Sequence, residues 1–149
     1  MKTAEIIAEW FLNRNRIDRH DNLDVEGISN LKLQKLLYYA YGCYLAMFGE
    51  KLFDDSIVAW EHGPVVKSVY YKYKDNGSSS ISEFDQPMCE FSNRELSVLE
   101  WVYKEFGQYT AWALRNMTHE EAPWKTTNLN NVIGDDIIKK YFTENYLEA

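Results

Sequence analysis

Residues 30–49 read NLKLQKLLYYAYGCYLAMFG, and the rest of the chain is best understood from this segment. From Leu36 to Gly49 it has no charged side chain, and its tyrosines lie on the helix faces that its leucines leave open. A helix that is apolar nearly all round is usually buried. Ser29 or Asn30 is a typical N-cap and Gly49 suits a left-handed C-cap. The segment therefore predicts a central buried helix from Leu31 to about Phe48.

Gly42 lies in the middle of this predicted helix. A glycine there costs about 1 kcal/mol relative to alanine. We expect its missing side chain to admit the close approach of another helix.

Shorter elements are predicted on both sides of the central helix. Apolar residues at helical spacing predict a first helix over Thr3–Asn15, followed by a polar surface loop over residues 16–27. After the central helix, Ser56–Trp60 is a candidate for a short strand, which could belong to a small hairpin. Gly63-Pro64 ends this strand-like run. A helix from about Pro64 to Tyr73 then leads to the flexible loop KDNGSSS, residues 74–80.

The last third of the chain predicts three more helices. Ser92-Asn93-Arg94-Glu95 is a capping box, and its helix continues to Phe106 before Gly107. A second helix covers Thr110–Met117, with Pro123 closing that region, and a third runs from a cap at Asp135 or Asp136 to Phe142. The fold class is therefore mainly α. We expect a single compact domain, residues 1–149, of about six helices around a buried central helix, with one or two short β-strands.

Composition and charge favour a globular cytoplasmic protein. Hydrophobic residues make up 46% of its 149 residues, which is enough for one core. Residues 1–52 have seven basic and seven acidic side chains, whereas residues 53–149 have nine and sixteen, so the net charge of −7 lies in the second part. Such an acidic surface favours a basic partner and disfavours phosphate. No segment is long enough to span a bilayer, and Glu5 and Glu9 argue against a signal peptide.

The usual catalytic and cofactor motifs are absent from the sequence. No phosphate-binding glycine loop, nucleophile motif or His/Cys metal-ligand spacing occurs, and no basic stripe predicts direct nucleic-acid binding. Cys43 sits in an apolar run and is expected to be buried. The cluster His119-Glu120-Glu121 leaves open a small hydrolase as the less favoured alternative, and its ordinary interpretation is local hydrogen bonding.

The segment AWEHGPVV, residues 59–66, also has two interpretations. It could present a helix N-terminus with free N–H groups to an anion. The more ordinary interpretation is a tight turn from strand to helix, with Trp60 in the core.

Three blocks of the sequence resemble the Panacea domain, a family first described in phage-associated proteins as a domain of unknown function. Residues 30–40, NLKLQKLLYYA, resemble its signature helix. Residues 52–53 and 60–65, LF and WEHGPV, are similar to its second block. Residues 114–124, LRNMTHEEAPW, are similar to its third, although Met117 stands where leucine is expected. The blocks occur in the family's order.

The resemblance implies an antitoxin, of possible prophage association, that neutralises a cognate toxin by direct protein–protein binding. Some members instead act as adaptors that deliver a toxin to a protease, and this is the main alternative. The resemblance supplies no catalytic residue, and the sequence itself predicts no metal, cofactor, direct contact with nucleic acid or membrane. The expected partner is a toxin encoded adjacently. For the partner-binding region we expect a set of residues from its second and third blocks: Trp60, His62, Gly63, Pro64, His119 and Trp124.

Overall fold

A computed structural model describes residues 1–147 of the protein. Within these residues it contains seven α-helices and one antiparallel pair of short strands. It also contains a 3₁₀ turn, Lys74–Asn76, and a π-helical turn, Thr143–Leu147. The elements in sequence order are α1 (Ala4–Asp21), α2 (Asn30–Phe48), β1 (Val58–Trp60), β2 (Gly63–Val65), α3 (Lys67–Tyr73), α4 (Asn93–Phe106), α5 (Ala111–His119), α6 (Ala122–Lys125) and α7 (Asp135–Phe142).

The central buried helix is confirmed. Every residue of α2 from Lys32 to Leu45 is buried, and α1, α3, α4, α5 and α7 all pack against it. Tyr38 and Tyr39 are among the largest fully buried side chains, and Cys43 is buried as expected. Burying one large apolar side chain stabilises a fold by about 1.5–3 kcal/mol, so this helix is the principal source of core stability.

The predicted helix caps are confirmed at both ends of α2 and at the start of α4. The Ser29 hydroxyl accepts a hydrogen bond from the Lys32 N–H, and Gly49 ends the helix with a φ of 69°. Ser92 and Glu95 form the full reciprocal capping box. These local signals fix the ends of the helices because each cap satisfies backbone groups that the helix leaves unpaired.

The predicted loop over residues 16–27 is partly wrong, because α1 continues to Asp21. Contacts with α4 hold this polar end of the helix. The Tyr103 hydroxyl donates to Asp18 in this extension at 2.8 Å, and in the preceding turn Arg14 pairs with Glu100 at 3.1 Å. Tertiary contacts of this kind override a weak local preference.

Pro64 lies in β2 rather than at the start of a helix, so the prediction of a helix from Pro64 is wrong. It faces Ala59 in the hairpin, and the Ala59 N–H and C=O groups bond instead to residues 130–131. A proline is tolerated there because that pair exchanges no hydrogen bonds. Helix α3 begins only at Lys67, and the N–H of Val66 donates to Gln34 Oε1 at 2.9 Å. AWEHGPVV therefore does not contain the helix N-terminus on which the anion-binding interpretation depended.

Near the C-terminal end, two helix boundaries differ from those predicted from the sequence. Pro123 opens the short helix α6 instead of closing α5, in the first-turn position that proline favours. Gly134, and neither Asp135 nor Asp136, caps α7. The Asp135 carboxylate is engaged elsewhere, since Oδ1 accepts a hydrogen bond of 2.8 Å from the Tyr41 hydroxyl of α2.

The helices were also compared with the length and hydropathy of membrane-spanning helices. None of the helices within residues 1–147 combines the length and the hydropathy needed to cross a bilayer.

Gly42 provides a test of the packing around α2. A methyl group on Gly42 would lie 2.4 Å from the Phe142 ring, which is itself fully buried. Helix propensity alone favours alanine by about 1 kcal/mol, whereas overpacking costs about 1–3 kcal/mol. We therefore expect Gly42→Ala to lower the free energy of unfolding in urea, and the added substitution Phe142→Leu to recover part of the loss. A Gly42→Ala protein that is more stable than the wild type would contradict this packing.

Candidate functional site

The β-hairpin is held against α2 and α5 by Gly63. Its φ of 110° favours glycine, and a Cβ atom there would lie 2.7 Å from Lys35 Cε and 2.8 Å from Thr118 Oγ1. Lys35 also donates a hydrogen bond of 3.0 Å to the carbonyl of Pro64. Gly63 and Pro64 are both buried. These two residues of the predicted set therefore set the position of the hairpin and cannot themselves present side chains to a partner.

The other four predicted residues lie around the hairpin, and three of them, Trp60, His119 and Trp124, are in direct contact. The Trp124 indole Nε1 donates to the Trp60 carbonyl at 2.7 Å, and its ring stacks on His119 with centroids 3.9 Å apart. His62, in the hairpin turn, is exposed, while Trp60, His119 and Trp124 are partly exposed. The structure thus brings together the predicted residues, which the sequence separates widely. Their role in binding a partner stays a prediction.

Sequence reasoning missed three residues that extend this group. Trp112 and Tyr71 are more than half exposed, at 54% and 56%. The Arg115 guanidinium lies over the Trp112 ring, 4.3 Å from its centroid, and its Nε donates to His62 Nδ1 at 3.1 Å. The spacing of Arg115 and His119, four residues apart on α5, was the available signal, because such residues share one face of a helix. We call these seven residues around the hairpin the hairpin surface: Trp60, His62, Tyr71, Trp112, Arg115, His119 and Trp124.

Basic groups are concentrated beneath the hairpin surface. Lys35 is completely buried, and burial, reinforced by the charge of Arg115, lowers its pKa to about 7. Burial also lowers the pKa of His119, with Arg115, Lys35 and His62 adding to the effect and a backbone hydrogen bond to Glu61 opposing it. The His119 Nε2 atom is buried without a hydrogen-bond partner. The sequence does hold a signal for Lys35, since a lysine in a helix that is apolar on all faces has no easy path to water.

A second buried polar cluster joins distant parts of the sequence. The Glu121 carboxylate accepts hydrogen bonds from the hydroxyls of Tyr38, at 2.9 Å, and Tyr39, at 3.1 Å, and from Tyr146 in the π-helical turn. Burial raises the pKa of Glu121, although the three hydroxyls partly oppose this. Burial and the nearby carboxylate raise the pKa of all three tyrosines. This cluster links α2, the start of α6 and the C-terminal turn.

The His119-Glu120-Glu121 sequence does not converge on one point. Glu121 faces the tyrosines in the core, Glu120 is exposed, and His119 stacks on Trp124. Across residues 1–147, no hydrogen bond joins His119 to a carboxylate, and no group of three His, Cys, Asp or Glu residues has the geometry of a metal site. The arrangement that a hydrolase would need from these three residues is therefore not formed.

These features describe a mainly helical domain that presents an aromatic and basic surface around a small hairpin. A sequence model of the family "Antitoxin SocA-like, Panacea domain" matches residues 33–125, more than half of the chain. The protein therefore belongs to the Panacea-domain family of SocA-like antitoxins, and the resemblance of its three blocks is confirmed. The match begins within α2 and ends with α6, so it includes the hairpin and all seven residues of the hairpin surface.

A curated relative agrees with this assignment. Antitoxin SocA of Caulobacter vibrioides (strain NA1000 / CB15N) is 43% identical over 65 residues. The aligned part covers 44% of this chain and 34% of that protein, so it spans about a third of the relative's length. No solved structure matched the protein.

The buried Lys35 predicts a pH-dependent stability. Its pKa is about 7 in the folded protein and near 10.5 when unfolded, so the unfolded state binds more protons between these values. The free energy of unfolding should therefore rise with pH, by about 2 kcal/mol between pH 7 and pH 9. Urea denaturation at a series of pH values measures this rise. Lys35→Met should remove most of it, whereas Lys67→Met, at an exposed lysine, should not. A wild type whose stability is flat or falling over this range would contradict the account.

The Glu121 cluster predicts a specific loss of stability. Tyr146→Phe removes one hydrogen bond to a buried carboxyl group, and we expect the free energy of unfolding to fall by about 1.5–3 kcal/mol. Tyr141→Phe is the matched control, because the Tyr141 hydroxyl makes none of the hydrogen bonds to Glu121. Chemical denaturation of both variants measures the difference. Equal stabilities of the two variants would mean that Tyr146 does not anchor the C-terminal turn.

Proposed function

We propose that this protein is the antitoxin of a toxin–antitoxin system and neutralises its cognate toxin, encoded beside it, by direct protein–protein binding in the cytoplasm. Membership of the SocA-like antitoxin family carries the proposal. The hairpin surface supports it, because it combines exposed aromatic rings with an arginine. Tryptophan, tyrosine and arginine supply most of the binding energy in protein–protein interfaces.

The rigidity of the hairpin surface supports the same proposal. Its rings are fixed by specific contacts: Trp60 packs edge-on against Tyr70 at 5.0 Å, and Trp124 is hydrogen-bonded to the Trp60 carbonyl. Arg115 is held between Trp112 and His62. Side chains that are already ordered lose little conformational entropy when a partner binds, which favours affinity.

We also propose that residues 1–149 act as one Panacea domain, although the family match covers only residues 33–125. Helices α1 and α7, outside the match, both contact α2. Phe142 fills the space beside Gly42, and Tyr146 bonds to Glu121 inside the matched region. Removing either end would expose the core of the matched segment, so the ends belong to the same folding unit.

Binding to the product of the adjacent gene tests the proposal. We expect the two proteins to co-purify, and co-expression to restore growth of cells that the adjacent product inhibits. Trp112→Ala should weaken binding, measured by calorimetry, about tenfold or more. Trp101→Ala is the matched control, because Trp101 is 41% exposed on α4, outside the hairpin surface, and its binding should stay near that of the wild type.

The same experiment separates direct neutralisation from the adaptor alternative. If binding itself neutralises, the amount of toxin in the rescued cells stays constant, and rescue also occurs in cells that lack the cytoplasmic proteases. Toxin that disappears only when both this protein and a protease are present would instead indicate an adaptor. An adjacent product that is harmless alone and does not bind would overturn the proposal.

A further inference from the structure

The Arg115 side chain is held in a fixed orientation at the solvent boundary. Its guanidinium stacks on the exposed Trp112, its Nε donates to His62 Nδ1, and its Nη1 donates to Asn116 Oδ1 at 3.0 Å. None of these bonds uses the Nη2 group. A guanidinium whose plane is set by stacking and by hydrogen bonds is prepared for the two-point recognition of a planar anion.

His62 supplies a second donor at the same place. A guanidinium is always protonated and can only donate, so His62 Nδ1 accepts from Arg115 and holds no proton. A neutral ring in this tautomer has its proton on Nε2. His62 is exposed and its ring centroid lies 5.6 Å from that of Trp112, so the imidazole adds a neutral donor to the group that Arg115 and Trp112 form.

In the part of the chain that the structure describes, no acidic side chain neutralises this spot. Across residues 1–147, Arg115 takes part in no ion pair, and the exposed neighbours Glu61 and Glu120 form none with it or with Lys35. Lys35, buried behind the hairpin, also lacks a carboxylate partner and donates only to a carbonyl. A protein with a net charge of −7 therefore keeps, within residues 1–147, an arginine without an ion pair on the hairpin surface.

We propose that Arg115, His62 and Trp112 form a binding site for the carboxylate of an Asp or Glu side chain of the partner protein. The inference deepens the proposed function, since it names the chemistry by which the hairpin surface would recognise a toxin. It departs from the expectation of a basic partner drawn from the net charge. That excess of acidic groups repels a polyanionic nucleic acid, but a single carboxylate can reach the local positive charge.

A small carboxylate probe tests the site without the toxin. The full-length protein, labelled with ¹⁵N, is titrated with the blocked peptides acetyl-Gly-Glu-Gly-amide and acetyl-Gly-Gln-Gly-amide. We expect the glutamate peptide alone to cause saturable shifts of the Trp112 indole signal, and we expect Arg115→Gln to abolish them. Arg94→Gln is the matched control, because Arg94 is exposed and, like Arg115, lies over an aromatic ring, that of Phe48 at the C-terminal end of α2. Equal shifts with both peptides, or none with either, would overturn the site.

Binding to the product of the adjacent gene tests the role of the site in recognition. Arg115→Gln should weaken that binding about tenfold or more, Arg115→Lys should restore it only in part, and Arg94→Gln should leave it unchanged. Arg115→Glu should abolish binding, and one Asp→Lys or Glu→Lys substitution in the adjacent product should recover it. A merely structural role of Arg115 predicts no such recovery. Either the absence of any recovering substitution or an Arg115→Gln protein that binds like the wild type would therefore overturn the inference.

The two proposals fail in different ways. If the glutamate peptide binds but the adjacent product does not, the proposed antitoxin function is wrong and the carboxylate site stands. If the adjacent product binds with equal affinity to the Arg115 variants, the function stands and the site is wrong. Tighter binding of a twelve-nucleotide single-stranded DNA than of the glutamate peptide would assign the positive spot to phosphate and overturn the inference.

Discussion

The burial of α2 on all sides is the constraint from which the rest of the architecture follows. A polar atom on such a helix has no access to water, so it must find a partner inside the protein. Gln34 receives the Val66 N–H, Lys35 donates to the Pro64 carbonyl, and Tyr38 and Tyr39 donate to Glu121. These partners all lie in later segments of the sequence. The polar side chains of α2 therefore determine where the hairpin and the α5–α6 junction lie.

This arrangement also divides the molecule by role. The side chains of α2 are engaged in the core, as is Glu121, and neither can contact a partner directly. The residues of the hairpin surface, which are aromatic or basic, lie outside this core, and the hairpin is joined to α2 through Gly63 and Lys35. In a member of the SocA-like antitoxin family, such a surface is a natural place for a protein contact. The fold thus supports a rigid surface on a tightly packed core.

Much of the fold was predictable from local patterns, and the errors have a common cause. The apolar surface of α2, the Ser92–Glu95 capping box and the Gly49 cap are local signals, and all three are confirmed. The polar end of α1 and the strand at Pro64 depend on contacts with Glu100 and with residues 130–131, which no local pattern records. The i, i+4 spacing of Arg115 and His119 could have placed Arg115 on the same helix face, but its contacts with His62 and Trp112 form only in three dimensions.

Hydrogen–deuterium exchange tests most directly the claim that a buried α2 leaves the hairpin surface free for a partner. In the free protein, we expect the amides of residues 33–45 to exchange most slowly and those of residues 82–90, which lack regular structure, to exchange quickly. Addition of the adjacent gene product should slow exchange in residues 58–66 and 111–119 and leave residues 33–45 unchanged. Rapid exchange of residues 33–45, or slowing confined to α4, would contradict the account.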